Sequence, residues 1–75
     1  MIQKKPMFRL KELRKKRGMT QIRLAIELNM APNSISRYES GAREADYTTL
    51  IRFADFFHVS LDYLLGRSND PTFRE

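Results

Sequence analysis

An all-α fold, a compact bundle of five short helices, is what this chain predicts, on three observations. Apolar residues recur at helical spacing in successive segments: Phe8, Leu10 and Leu13, then Leu24, Ala25 and Leu28, then Ile35 and Tyr38, then Leu50, Phe53, Ala54 and Phe57. Capping and chain-reversing residues separate these segments, and no stretch requires a strand. At 75 residues the chain makes one domain. A domain of that size buries only about 60% of the surface its unfolded form exposes, so its core must be well patterned.

The elements follow in order. Residues 1–7 form a short basic arm. Phe8 to Arg17 suits an amphipathic first helix closed by Gly18, because glycine adopts the left-handed conformation that helix C-termini favour. Thr20 is a good N-cap for the second helix, its hydroxyl accepting from an otherwise unpaired backbone N–H. Met19 and Leu24 have the spacing of a hydrophobic staple across that cap. Asn29 follows the second helix and tolerates the left-handed conformation next best after glycine. Pro32 fits the first position of a third helix, where its missing N–H is not needed, although Ala31 before it offers no side-chain cap. Ser40-Gly41 ends that helix. Asp46 caps a fourth helix running to about His58, and Ser60 caps a short fifth, Leu61 to Leu65, stopped by Gly66. The domain proper is therefore expected at 8–66, with 67–75 a flexible C-terminal tail.

Composition narrows the function. There is no cysteine, which excludes disulfides and thiolate metal sites and fits a reducing compartment. His58 is the single histidine, so a zinc site would rest on carboxylates, and no metal or cofactor is expected. No apolar run approaches the roughly 18 residues of a membrane span and no signal peptide is visible, so the expected location is the cytoplasm, without a membrane partner. Ser34, Ser36 and Ser40 have no histidine nearby to act as base, so neither an enzyme nor a small-molecule substrate is expected.

Charge is polarised. Up to Arg43 there are eleven Lys or Arg against three acids, a surplus of eight positive charges; from Glu44 onward three Arg face six acids, a surplus of three negative charges. A basic half is the footprint of a polyanion partner, though charge alone fits a solvated face equally well. Residues 20–41 add the second observation. They read as two short helices around a tight turn, a supersecondary unit that can lay its second helix into a DNA groove. Ile35 and Tyr38 turn inward on that helix, leaving Asn33, Ser34, Ser36 and Arg37 outside.

Residues 8–66 resemble the lambda-repressor-like helix-turn-helix domains of the Cro/C1 type (the XRE family). The resemblance is carried by Leu13-Arg14, Gly18-Met19-Thr20-Gln21, Leu24-Ala25, Ile35-Ser-Arg-Tyr-Glu39, Ser40-Gly41 and Val59-Ser-Leu-Asp-Tyr-Leu-Leu65, all in register. It implies a lambda-repressor-like five-helix bundle in which helix 2 lies over the DNA backbone and helix 3 reads the major groove. By position, Asn33, Ser36 and Arg37 are the base-reading residues: Asn33 toward an adenine edge, Arg37 toward guanine N7 and O6, Ser36 toward a base edge or thymine methyl. Gln21, Ser34, Tyr38, Ser40 and Arg43 are the phosphate contacts. Arg14 and Glu39 match positions that pair across helices 1 and 3 and brace the motif. Two positions depart from the family pattern: Asn29 where glycine is usual in the turn, and Ala31-Pro32 where polar groups usually open helix 3. The operator therefore cannot be copied from a relative.

The expectation is a small stand-alone transcriptional repressor of phage or bacterial type, binding a double-stranded DNA operator with dyad symmetry as a homodimer at least on DNA. Phe56 and Ile51 lie off the main inner face, and as exposed apolar residues in the acidic half they are the expected self-association patch. A protein-interaction module, an antitoxin or adaptor with DNA binding secondary, is the rival from another class. Lys15, Lys16 and Arg17 are expected as solvated cations adding general attraction, and His58 as a turn or charge–dipole residue at a helix end.

Overall fold

A computed structural model describes residues 8–72, so the expected arm and the last three residues of the expected tail lie outside the described residues. Five helices follow one another: α1 Leu10–Lys16, α2 Gln21–Leu28, α3 Pro32–Ser40, α4 Tyr47–Phe57 and α5 Leu61–Leu64. Among the described residues there is no strand. α2 packs most closely with α3, and α4 with α5.

Local signals set most boundaries. Thr20 Oγ1 accepts from the Arg23 N–H at 3.0 Å, Asp46 Oδ1 from the Thr49 N–H at 2.9 Å, and Ser60 Oγ from the Tyr63 N–H at 3.1 Å. Each bond satisfies one of the donors that a helix start leaves unpaired. Ala31 at the start of α3 makes no such bond, and Pro32 needs none at its own nitrogen. Asn29 and His58 both adopt the left-handed conformation with φ of 56°, ending α2 and α4 where the chain turns. His58 thus serves the turn.

Each helix sends one large, fully buried side chain to the centre: Leu10, Leu24, Ile35, Phe53 and Leu64. Burying such a side chain contributes roughly 1.5–3 kcal/mol, so these five dominate the small core. Phe53 is the hub. Tyr38 meets its ring edge-on at 5.7 Å and Phe8 tilts against it at 6.3 Å, tying α3 and the entry of α1 to α4.

The start of α1 differs from expectation. The helix begins at Leu10 rather than Phe8, because the Arg9 N–H donates to the Leu64 carbonyl at 2.8 Å and ties the entering chain to α5. Arg9 also donates through Nε to the Tyr63 carbonyl (2.8 Å) and through Nη2 to Asn69 Oδ1 (2.9 Å), with its guanidinium 4.3 Å from the Tyr63 ring centroid. Past α5, the Arg67 N–H donates to the Asp62 carbonyl at 2.8 Å and the Ser60 N–H to the Pro71 carbonyl at 3.2 Å. Residues 67–72 are therefore laid back along α5.

Phe56 is a correction. Its ring is half-buried, edge-on to Phe57 at 5.0 Å, and Arg17 from the end of α1 lies over both rings at 5.3 and 5.0 Å. The planar guanidinium covers the aromatic faces while its charge stays in water. Arg17 is thus exposed but not idle, and Ile51 alone of the expected patch faces solvent, at 42% exposure.

Candidate nucleic-acid interface

The site is built on one face of α3. Ile35 and Tyr38 are buried, which fixes the rotation of the helix and turns Asn33, Ser36 and Arg37 to solvent. Positions 33, 36, 37 and 40 share a stripe at the i, i+3, i+4, i+7 spacing of a single helix face. The three expected base-reading side chains therefore stand together on an open surface. Ser34 is half-buried, at the edge of that face.

α2 stands across the turn. Gln21 is its first residue, and its Nε2 donates to Glu39 Oε1 at 3.0 Å. The same carboxylate takes two bonds from Arg14: Nε to Oε2 at 2.6 Å and Nη2 to Oε1 at 3.0 Å. The remaining Arg14 nitrogen, Nη1, donates to the Met19 carbonyl at 2.7 Å. One carboxylate on α3 thus joins α1, the α1–α2 connection and the first residue of α2. Gln21 keeps one amide N–H and its carbonyl oxygen for another partner, at the helix end where backbone N–H groups favour anions.

The loop after α3 is ordered by its own bonds. Gly41, at φ of 83°, adopts a conformation that side-chain-bearing residues resist, and lets the chain leave α3 sharply. Ser40 Oγ donates to the Arg37 carbonyl at 3.2 Å and accepts from the Ala42 N–H at 3.3 Å. The Arg43 N–H also donates to the Arg37 carbonyl, at 3.2 Å, and the Arg43 guanidinium sits 5.3 Å from the Tyr38 ring centroid. Tyr38 therefore serves the core with one part of its ring and Arg43 with another. Beyond the loop, hydrogen bonding from Thr49 holds the Asp46 carboxyl below the ordinary carboxylate range, with a smaller contribution from the Arg43 charge.

Two braces were not legible beforehand. Glu39 holding Gln21 joins residues 18 apart, and no local pattern signals it. Arg52 of α4 donates to the Leu28 carbonyl, supporting the end of α2 from below. A cation near a helix C-terminus is a recognised partner for its last carbonyls, but here it arrives from another helix. Ile22, Ile26 and Tyr47, at 60%, 63% and 74% exposure, are apolar surface residues that the periodicity alone did not single out. Among the described residues, no group of three or more His, Cys, Asp or Glu is placed to hold a metal, and no helix is long and apolar enough to cross a membrane.

Two helices at a tight turn, braced by a buried ion pair and presenting a polar, cationic face on the second, define a helix-turn-helix domain. The helix-turn-helix family model matches residues 10–64, and the chain belongs to that family, in its Cro/C1-type branch. It is similar to the HTH-type transcriptional regulator ImmR of Bacillus subtilis (strain 168), with 46% identity over 59 residues, covering 79% of this chain and 46% of ImmR. It is 43% identical over 67 residues to the uncharacterized HTH-type transcriptional regulator YqaE of the same organism, covering 88% of this chain and 58% of YqaE. It is also 36% identical over 59 residues to the cryptic phage CTXphi transcriptional repressor RstR of Vibrio cholerae, covering 79% of this chain and 53% of RstR. The chain spans about half the length of these curated relatives.

Proposed function

We propose that the protein is a sequence-specific double-stranded DNA-binding transcriptional regulator that acts in the cytoplasm as a repressor, without catalysis. The observation that carries this reading is the joint exposure of Asn33, Ser36 and Arg37 on one face of α3. Glu39 of the same helix holds Gln21, the first residue of α2. The names of the relatives, all transcriptional regulators or repressors, support it.

In this reading α3 enters the major groove. Asn33 pairs bidentately with adenine and Arg37 with guanine, while Ser36 touches a base edge; each bidentate pair discriminates by roughly 1–3 kcal/mol. Gln21, Ser34, Ser40 and Arg43 meet phosphates, with Tyr38 taking part through its hydroxyl and through the guanidinium it supports. Copies bind as a homodimer on an operator of dyad symmetry, since two-fold protein pairs read inverted half-sites about one DNA turn apart.

Titration of duplex DNA across a salt series tests the reading. Affinity should fall steeply as salt rises, because each phosphate neutralised by a Lys or Arg of the basic half releases roughly 0.9 counterion. A flat response, or no binding at low salt, overturns it.

A further inference from the structure

Ile22 and Ile26 lie one turn apart on the outer side of α2, and both are mostly exposed. The buried side of that helix is Leu24, Ala25 and Leu28, so the two isoleucines are not part of the core. Isoleucine is also a weaker helix former than the Glu, Lys or Gln that suit such positions, so local structure does not account for them. Beside this stripe runs an ion pair, Arg23 to Glu27 at 2.7 Å. With the cation N-terminal to the acid it has the less favourable orientation for steadying its own helix.

These two adjacent stripes are complementary to themselves. We propose that the outer face of α2 pairs antiparallel with the same face of a second copy of this chain. A two-fold axis at the level of Leu24 sets Ile22 opposite Ile26 of the second copy, and Ile26 opposite Ile22. Arg23 then lies within roughly 3 Å, measured along the helix axis, of Glu27 of the second copy. The charged stripes fall on the same side of the contact and exchange partners. A parallel pairing leaves them on opposite sides, with no exchange.

The groove beside α4 and α5 is less suited to a second copy. The groove of about 420 Å³ between α4 and α5, bordered by Ile51 and Leu61, also carries Asp55 and Asp62. A two-fold contact there sets like charges against each other, which is unfavourable.

Two isoleucines and one ion pair offer much less than the roughly 800 Å² per partner of a stable interface, so the α2 contact is weak between free molecules. It gains effect where two copies are held close, as on adjacent DNA sites, where the effective concentration is high. That consequence rests on the DNA-binding reading above; the pairing itself does not.

The chain has no cysteine, so introduced thiols report the contact cleanly. An equimolar mixture of Ile22→Cys and Ile26→Cys, one of them ¹⁵N-labelled, is mildly oxidised at high concentration and the three disulfide-linked dimers are separated by intact mass. Chance gives the mixed dimer twice the yield of either like dimer; antiparallel pairing raises that excess to about fivefold or more. Adding Arg23→Glu to both variants sets Glu against Glu and returns the yields to chance. Adding Glu27→Arg as well restores the excess, which a merely damaged helix would not do. A chance distribution in the original mixture overturns the proposal.

A DNA arm separates the two readings. On duplexes carrying one or two copies of the sequence that the protein selects from a random pool, the native chain fills the second site about fivefold or more tightly than the first. The variant Ile22→Ser/Ile26→Ser fills both alike with unchanged single-site affinity. A mixed-dimer excess without any DNA selection leaves the pairing standing and removes the DNA reading; equal filling of both sites by the native chain overturns pairing on DNA.

Discussion

Arg14 and Glu39 form a two-pronged ion pair at 2.6 and 3.0 Å between α1 and α3, and both side chains are less than a tenth exposed. Each partner is also tied to another part of the fold. Arg14 takes the Met19 carbonyl and Glu39 takes the Gln21 amide, so the pair fixes where α2 starts relative to the exposed polar face of α3. Removing one partner strands the other charge in a nearly dry site. Arg14→Ala and Glu39→Ala are each expected to destabilise the fold by about 3–5 kcal/mol in urea unfolding. Because each single change already incurs the stranded-charge cost, the double variant should lose far less than the sum of the two. Additive losses would refute the coupling.

The second prediction separates reading from positioning. Arg37→Ala should relax base preference by roughly 1–3 kcal/mol at one position of each half-site, as read by selection from random DNA. Gln21→Ala should weaken binding to all sequences alike, because a phosphate contact carries no base information. If both substitutions scale every sequence equally, α3 is not the reading helix.

Much of this arrangement is legible in the sequence, and what is legible is local. Thr20, Asp46 and Ser60 announce helix starts because a cap bond spans only three residues. The exposed polar face of α3 follows from the inward turn of Ile35 and Tyr38, again a matter of neighbouring positions. The failures are long-range. Phe8 is pulled out of α1 by the Arg9–Leu64 bond, and Phe56 is covered by Arg17 from a helix 39 positions earlier. Helical periodicity cannot signal either. The Arg14–Glu39 pair is anticipated only through family resemblance, and the Gln21–Glu39 bond, between residues 18 apart, leaves no local signal.

The third prediction concerns the uncapped start of α3. Ala31 has φ −71° and ψ 140°, the extended geometry of a capping residue, yet its methyl group accepts nothing. At the start of α2 the same geometry lets Thr20 accept from Arg23 three residues on. Ala31→Ser should let the new hydroxyl accept from the Asn33 N–H, or share the Ser34 N–H that donates to the Ala31 carbonyl at 3.0 Å, and add about 1 kcal/mol. For a domain this small, that corresponds to a rise in Tm of roughly 4–8 °C. An unchanged Tm would mean that the Ala31 carbonyl already satisfies the start of α3 well enough for a side-chain cap to add nothing.

The fourth prediction follows the charge of Asp46. Its carboxylate caps α4, and hydrogen bonding from Thr49, with a smaller contribution from Arg43, lowers its pKa in the folded state. A group whose folded pKa is depressed stabilises the fold at pH above its unfolded value, about 3.9 for aspartate, and that contribution disappears as pH falls through the lower folded value. Asp46→Asn keeps an oxygen that can cap the helix but removes the titration. The native chain should therefore melt at a higher temperature than Asp46→Asn between pH 5 and 7. The gap should close as pH is lowered from about 4 toward 2. Asn does not ionise there, so the closing gap reports the Asp46 carboxylate itself. A gap that stays constant over the whole range would mean that Asp46 caps α4 through geometry alone, with its charge contributing nothing to the helix start.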